Sequence, residues 1–107
     1  MTQPLDSDDL LTGDQKKRLR GLGHHLEPVV YIGREGLSPA LVKSAEAALT
    51  ARELIKIKVG QNCPMERSAA GRELGRQTGA VVVQIIGRMT LLYRANPDLP
   101  PDRRIAL

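Results

Sequence analysis

Phenylalanine and tryptophan are missing from these 107 residues, and Tyr31 and Tyr93 are the only aromatics. Modules that read unpaired bases by stacking present several exposed rings, a platform this chain can hardly build. Any nucleic acid it binds is therefore expected to be held by backbone and shape. Cysteine is nearly absent too. Cys63 stands alone, so no internal disulfide can form, which fits a reducing cytosol or organelle stroma, and a cytoplasmic location is expected. No apolar run approaches the roughly 20 residues that cross a bilayer. The first eleven residues hold Asp6, Asp8 and Asp9 and no base, so the start lacks the basic region of a signal peptide, and no membrane partner is expected.

Catalytic and metal-binding patterns are also lacking. His24 and His25 are adjacent, so on a helix they point about 100° apart, and no fourth ligand is spaced for zinc. Cys63 has no partnered base to make it a nucleophile, and no acid–base pair stands out. Neither an enzyme nor a cofactor is expected.

What is present is one modest domain. Hydrophobic residues make up 41% and charged residues 26%, the balance of an ordinary globular chain with a single core. Sixteen basic residues face 12 acidic ones, three of them within the first eleven positions, so the remainder carries a clear basic surplus suited to a polyanion.

Residues 1–11 are polar and non-periodic and read as a disordered acidic segment. Thr12 and Gln15 form a capping-box pattern that opens a first helix, with Leu19, Leu22 and Leu26 as its core stripe. Lys17, Arg20 and His24 take the opposite side, flanked by Lys16 and Arg18. Gly21 and Gly23 weaken this helix, and close packing on a neighbour is the expected reason. Val29 to Ile32 is a buried strand. Ser38 caps a second helix from Pro39 to Ala51. In Leu54–Val59, Ile55, Ile57 and Val59 alternate with outward Lys56 and Lys58, marking a sheet with one wet side. Pro64 opens a third helix ending at Gly79. Residues 80–86 and 89–93 are two more strands around a Gly87-Arg88 hairpin turn, and residues 96–107 read as an extended, proline-rich tail.

The expected fold is α/β (α+β): a single layer of helices on a four-stranded mixed sheet, in the order α-β-α-β-α-β-β. Helical crossovers should run the first three strands parallel, so the loops after them share one end of the molecule. The candidate site lies there. Gly33-Arg34-Glu35-Gly36 joins a strand to a helix start; its glycines allow close approach of a ligand, and Arg34 supplies a forked donor beside the positive end of a helix. Gly-x-x-Gly is also what any tight turn uses, so the surroundings decide. The first helix feeds the start of the first strand, so its N-terminal half is expected at that same end, and Lys16, Lys17, Arg20, Arg34, Lys58 and Arg88 should converge there. Lys56 and Lys58 offer a second basic surface, though lysines also protect open sheets. Arg72 and Arg76, at i and i+4, repel each other mildly. Tyr31 is better suited to the core than to a stacking platform, and Tyr93 is open to either role.

Residues 22–30 (LGHHLEPVV), 33–37 (GREGL), 53–58 (ELIKIK), 78–80 (TGA), 83–88 (VQIIGR) and 91–94 (LLYR) together resemble the CRM domain. That family is named for chloroplast RNA splicing and ribosome maturation, and its bacterial stand-alone members are called YhbY-like. The resemblance covers residues 12–95. It implies an RNA-binding fold like the C-terminal domain of the third translation initiation factor, with the Gly-x-x-Gly loop and nearby basic residues on RNA. It also implies association with rRNA in precursors of the large ribosomal subunit. Family loops are often more basic than this one, and Glu35 weakens the local field. The resulting expectation is a monomeric, non-catalytic RNA-binding protein that assists large-subunit assembly. Two rivals stand beside it: a small α/β domain holding a phosphorylated metabolite in a closed pocket at Gly33–Gly36, and a protein module that docks on the ribosome.

Overall fold

The computed structural model of the chain describes residues 11–107. The expected disordered segment 1–11 thus lies, apart from Leu11, outside the described residues. Helix α1 (Gly13–Gly23), strand β1 (Pro28–Ile32), helix α2 (Pro39–Arg52), strand β2 (Leu54–Val59), helix α3 (Arg67–Thr78) and strands β3 (Val81–Ile86) and β4 (Met89–Tyr93) follow one another in the expected order. They form one four-stranded sheet with spatial order β1-β2-β4-β3. β1 and β2 are parallel, while β4 runs antiparallel to both β2 and β3, so the first three strands share a direction.

Local chemistry sets the element ends. Thr12 and Gln15 close a reciprocal capping box, and the Ser38 hydroxyl accepts from the Leu41 amide at 3.2 Å. α3 begins at Arg67 rather than Pro64. Glu66 is its cap, taking the amides of Ser68 and Ala69 at 3.1 Å each, and a carboxylate also suits the positive end of a helix. Gly79, at φ 69°, ends α3 in the left-handed conformation that favours glycine.

The single helical layer is corrected. α2 and α3 cover one face of the sheet, over Val30, Ile32, Ile55, Ile57, Val59 and Leu92. α1 covers part of the other, where Leu19 joins Leu54, Val83, Leu91 and Tyr93. Two crossovers that step the same way across a sheet with the same hand place their helices on the same face. α1 precedes all strands, so no crossover constrains it, and it shields the apolar side chains left on the reverse. Leu22 is 42% exposed and drops out of the expected core stripe. Gly23 replaces it: a Cβ there would stand 2.5 Å from a Leu91 methyl, whereas one at Gly21 meets nothing within 4 Å. Close packing therefore accounts for Gly23 alone.

Residues 96–107 do not run out as an extended tail. They include a short 3-10 turn, Pro101–Arg103, and return to the domain. Glu53, wholly buried, accepts the Asn96 amide at 2.6 Å and the Ile105 amide at 2.7 Å, and Arg18 Nε donates to the Ala106 carbonyl at 2.6 Å.

Candidate nucleic-acid interface

The three loops that follow β1, β2 and β3 meet at one end of the sheet and are tied to one another. The Gly60 amide donates to the Ile32 carbonyl and the Val59 amide to the Arg88 carbonyl, both at 2.8 Å. Arg88 Nη1 reaches the Gly60 carbonyl at 3.4 Å. Residues 33–36 close a turn through a 3.0 Å bond from the Gly36 amide to the Gly33 carbonyl, which lifts Arg34 and Glu35 into solvent at its tip. The two glycines differ in role. Gly36 is buried with φ 63° and packs on Pro64, so its need for glycine is conformational. Gly33 is partly exposed and its φ is ordinary, so it is the one open to close approach.

Arg34, Lys58 and Arg88 therefore share this end. Lys58 is exposed and pairs in register with Tyr31 on β1 and Met89 on β4. Among the described residues neither Arg34 nor Lys58 takes part in an ion pair. Two bare cations on neighbouring segments, with Arg88 behind them, favour a divalent or repeated anion over a neutral ligand.

The wider convergence is corrected. α1 starts at the opposite end of the sheet: Leu11 and Gln15 line a depression with Tyr93 and Ala95, and Tyr93 pairs with Leu54 and Val81, the first residues of β2 and β3. Lys16 and Lys17 belong to that half of the helix, away from Arg34. Arg20 is partly buried further along α1, whose last turn meets Leu91 through Gly23. His24, just after it, is exposed and stands edge-on to His25 with ring centres 5.1 Å apart. Lys56 is partly buried in mid-sheet beside Leu91. α1 thus starts at the end of the sheet away from Arg34, not beside it.

Other basic residues are committed to structure. Arg94 pairs with Glu46 and donates to the Thr78 carbonyl at 2.7 Å and the Thr50 hydroxyl at 2.9 Å, binding β4 to α2 and α3. Arg76 does not simply repel Arg72, because Glu73 holds it at 2.5 Å. The arginine bond, then that from Gln77, draws the Glu73 carboxyl down to about 2.

The expected core position of Tyr31 is corrected, and Tyr93, left open by the sequence, is the buried one. Tyr93 is 7% exposed and Tyr31 is 56% exposed. The unbroken apolar run hid this, but alternation offered a signal: with Val30 and Ile32 inward, Val29 and Tyr31 must turn outward. No metal-binding group of three or more His, Cys, Asp and Glu side chains occurs among the described residues, and none of their helices is long and apolar enough to cross a membrane. A depression of about 660 Å³ beside α2, lined by Leu37, Val42, Lys43, Glu46 and Gln77, opens to solvent and does not include Gly33, Arg34 or Gly36. It is not the closed pocket that a metabolite site at this loop requires.

Comparison with known proteins adds to this geometry. The sequence profile of the CRS1 / YhbY (CRM) domain matches residues 11–94. Probable RNA-binding protein PA4753 of Pseudomonas aeruginosa is 41% identical over 96 residues, which span 90% of each chain. Probable RNA-binding protein YqeI of Bacillus subtilis is 37% identical, across 83% of this chain and 93% of its own. The solution structure of SAV1595 from Staphylococcus aureus superimposes with a TM-score of 0.70 at 36% identity, covering 82% of this chain and 92% of that one.

Proposed function

The chain belongs to the CRS1 / YhbY (CRM) domain family, and from that premise we propose that it binds structured rRNA through the phosphate backbone and assists assembly of the large ribosomal subunit. The observation that carries this reading is the basic strand-end surface: Arg34 at the tip of an exposed turn, with Lys58 and Arg88 on adjoining segments. The relatives are named for RNA binding, not for a reaction. A phosphate lying against the turn would receive the Arg34 fork, and the next ones along the track would lie toward Lys58 and Arg88. Contacts of that kind set affinity and position without reading sequence.

Binding should therefore weaken steeply with salt, each neutralised phosphate contributing a slope of about −0.7 to −0.9 in log K against log salt. Arg34→Glu and Lys58→Glu should weaken binding of unrelated RNAs alike, each lowering that slope by about one unit. Lys17→Glu, at the other end of the molecule, should matter less. Equal losses from Lys17→Glu and Lys58→Glu, measured by titration at several salt concentrations, would place the interface elsewhere. For the ribosomal part, gradient sedimentation of cell lysate should find the protein with large-subunit precursors. A protein confined to the top of the gradient would refute the assembly role and leave RNA binding standing.

A further inference from the structure

In a chain with two aromatic rings, one is held out in solvent at the basic end. Tyr31 occupies the reverse face of β1, beyond the cover of α1, in a cross-strand row with Lys58, Met89 and Ile86, of which Ile86 is 63% exposed. The ring is seated. A Cβ built on Gly60 would lie 2.2 Å from Tyr31 Oη and 2.6 Å from Cζ, so the ring occupies the space that Gly60 leaves empty. Its Cε2 edge lies 3.5 Å from the position of a Cβ on Gly33. Tyr31 thus bridges the first two loops of the site, and Arg88 donates to the carbonyl of the same Gly60.

A ring already pinned against backbone loses little further freedom when something stacks on it, and it has Lys58 beside it and Arg34 three residues on. An apolar plane joined to an anion is the chemistry of a nucleotide. Resting on the RNA reading above, we infer that Tyr31 stacks on an unpaired base of the bound RNA while Arg34 and its basic neighbours hold the adjoining phosphates. The target is then structured RNA carrying at least one unstacked nucleotide, such as a bulge or loop, beside the backbone track. A uniform duplex, whose bases are all stacked, would engage the cations but not the ring.

The composition makes this directly measurable, since no tryptophan is present and Tyr93 is buried, so tyrosine quenching reports chiefly on Tyr31. The full chain is titrated with a 12-nucleotide oligouridine and with a 12-base-pair RNA duplex. Oligouridine should quench the fluorescence and the duplex should not. Tyr31→Leu keeps apolar bulk over Gly60 but removes the π-face. It should lower affinity for oligouridine on the order of tenfold, with duplex affinity unchanged. Tyr31→Phe should bind like the natural chain. Equal oligouridine affinity in Tyr31→Leu and the natural chain, or an equal loss for both RNAs, overturns the stacking role alone. A natural chain that binds neither RNA overturns the RNA reading and this inference together.

Discussion

Gly33 and Gly36 look interchangeable in the sequence, and the structure separates them. An alanine at 36 would have to adopt φ 63°, at a cost of roughly 1–2 kcal/mol. One at 33 would place its Cβ in ordinary contact with the Tyr31 ring, 3.5 Å away, and should stay within about 0.5 kcal/mol of the natural chain. Urea denaturation of the two variants tests the difference. The expected pattern is a lowered midpoint for Gly36→Ala only, and a matching drop in Gly33→Ala would mean that the turn is strained throughout. The exposed, cationic tip at Arg34 was legible from residue order. Which glycine serves the backbone conformation and which stays partly exposed was not, because it depends on Pro64, 28 positions further along the chain than Gly36.

At the scale of elements, two helices use glycine to approach the sheet. On α3, a Cβ at Gly71 would stand 2.4 Å from Thr90 Oγ1, a buried hydroxyl without a partner among the described residues. Gly75 next along is nearly as tight, 3.1 Å from a Val82 methyl. Gly71→Ala should therefore cost about 1–3 kcal/mol by overpacking. Gly21→Ala, on the open side of α1, should instead gain about 0.5–1 kcal/mol from helix propensity. Thermal unfolding of the pair should move in opposite directions; a stabilised Gly71→Ala would show that α3 can back away from β4. Caps at Thr12 and Ser38 were legible because capping involves neighbours in sequence. The start of α3 was displaced because Glu66, a less usual cap, takes precedence over Pro64.

At the scale of the whole molecule, Glu53 holds the C-terminal segment. It adopts φ 65° just after α2, and its buried carboxylate gathers the amides of Asn96 and Ile105 and, at 3.4 Å, Arg104 Nε. Burial pushes its pKa up, but the two amide bonds and then Arg104 outweigh it and hold the carboxyl below its ordinary value. A carboxyl depressed in the folded state adds stability above its unfolded pKa of about 4.3 and loses that contribution as pH falls through the folded value. Glu53→Gln should cost about 1.5–3 kcal/mol near pH 7, and the gap to the natural chain should narrow as pH drops from 5 toward 3. Denaturant midpoints across that range test this; a gap independent of pH would mean the ionised form contributes nothing special.

Residue order alone determined the succession of elements, the turn at Gly33–Gly36 and the membership in an RNA-binding family, because each of these is written in neighbouring residues or in spaced motifs. Only the tertiary structure decided which face each helix covers, at which end of the sheet α1 starts, that Tyr31 rather than Tyr93 meets solvent, and that the tail returns to Glu53. The reason is physical. An apolar pattern says that a side chain is buried, but in a strand such as β4, where Thr90 and Leu92 face α2 and α3 and Leu91 and Tyr93 face α1, it does not say against what. That assignment is made when helices compete for two faces of the same sheet, and it places Lys16 and Lys17 at one end of the molecule and Arg34, Lys58 and Arg88 at the other.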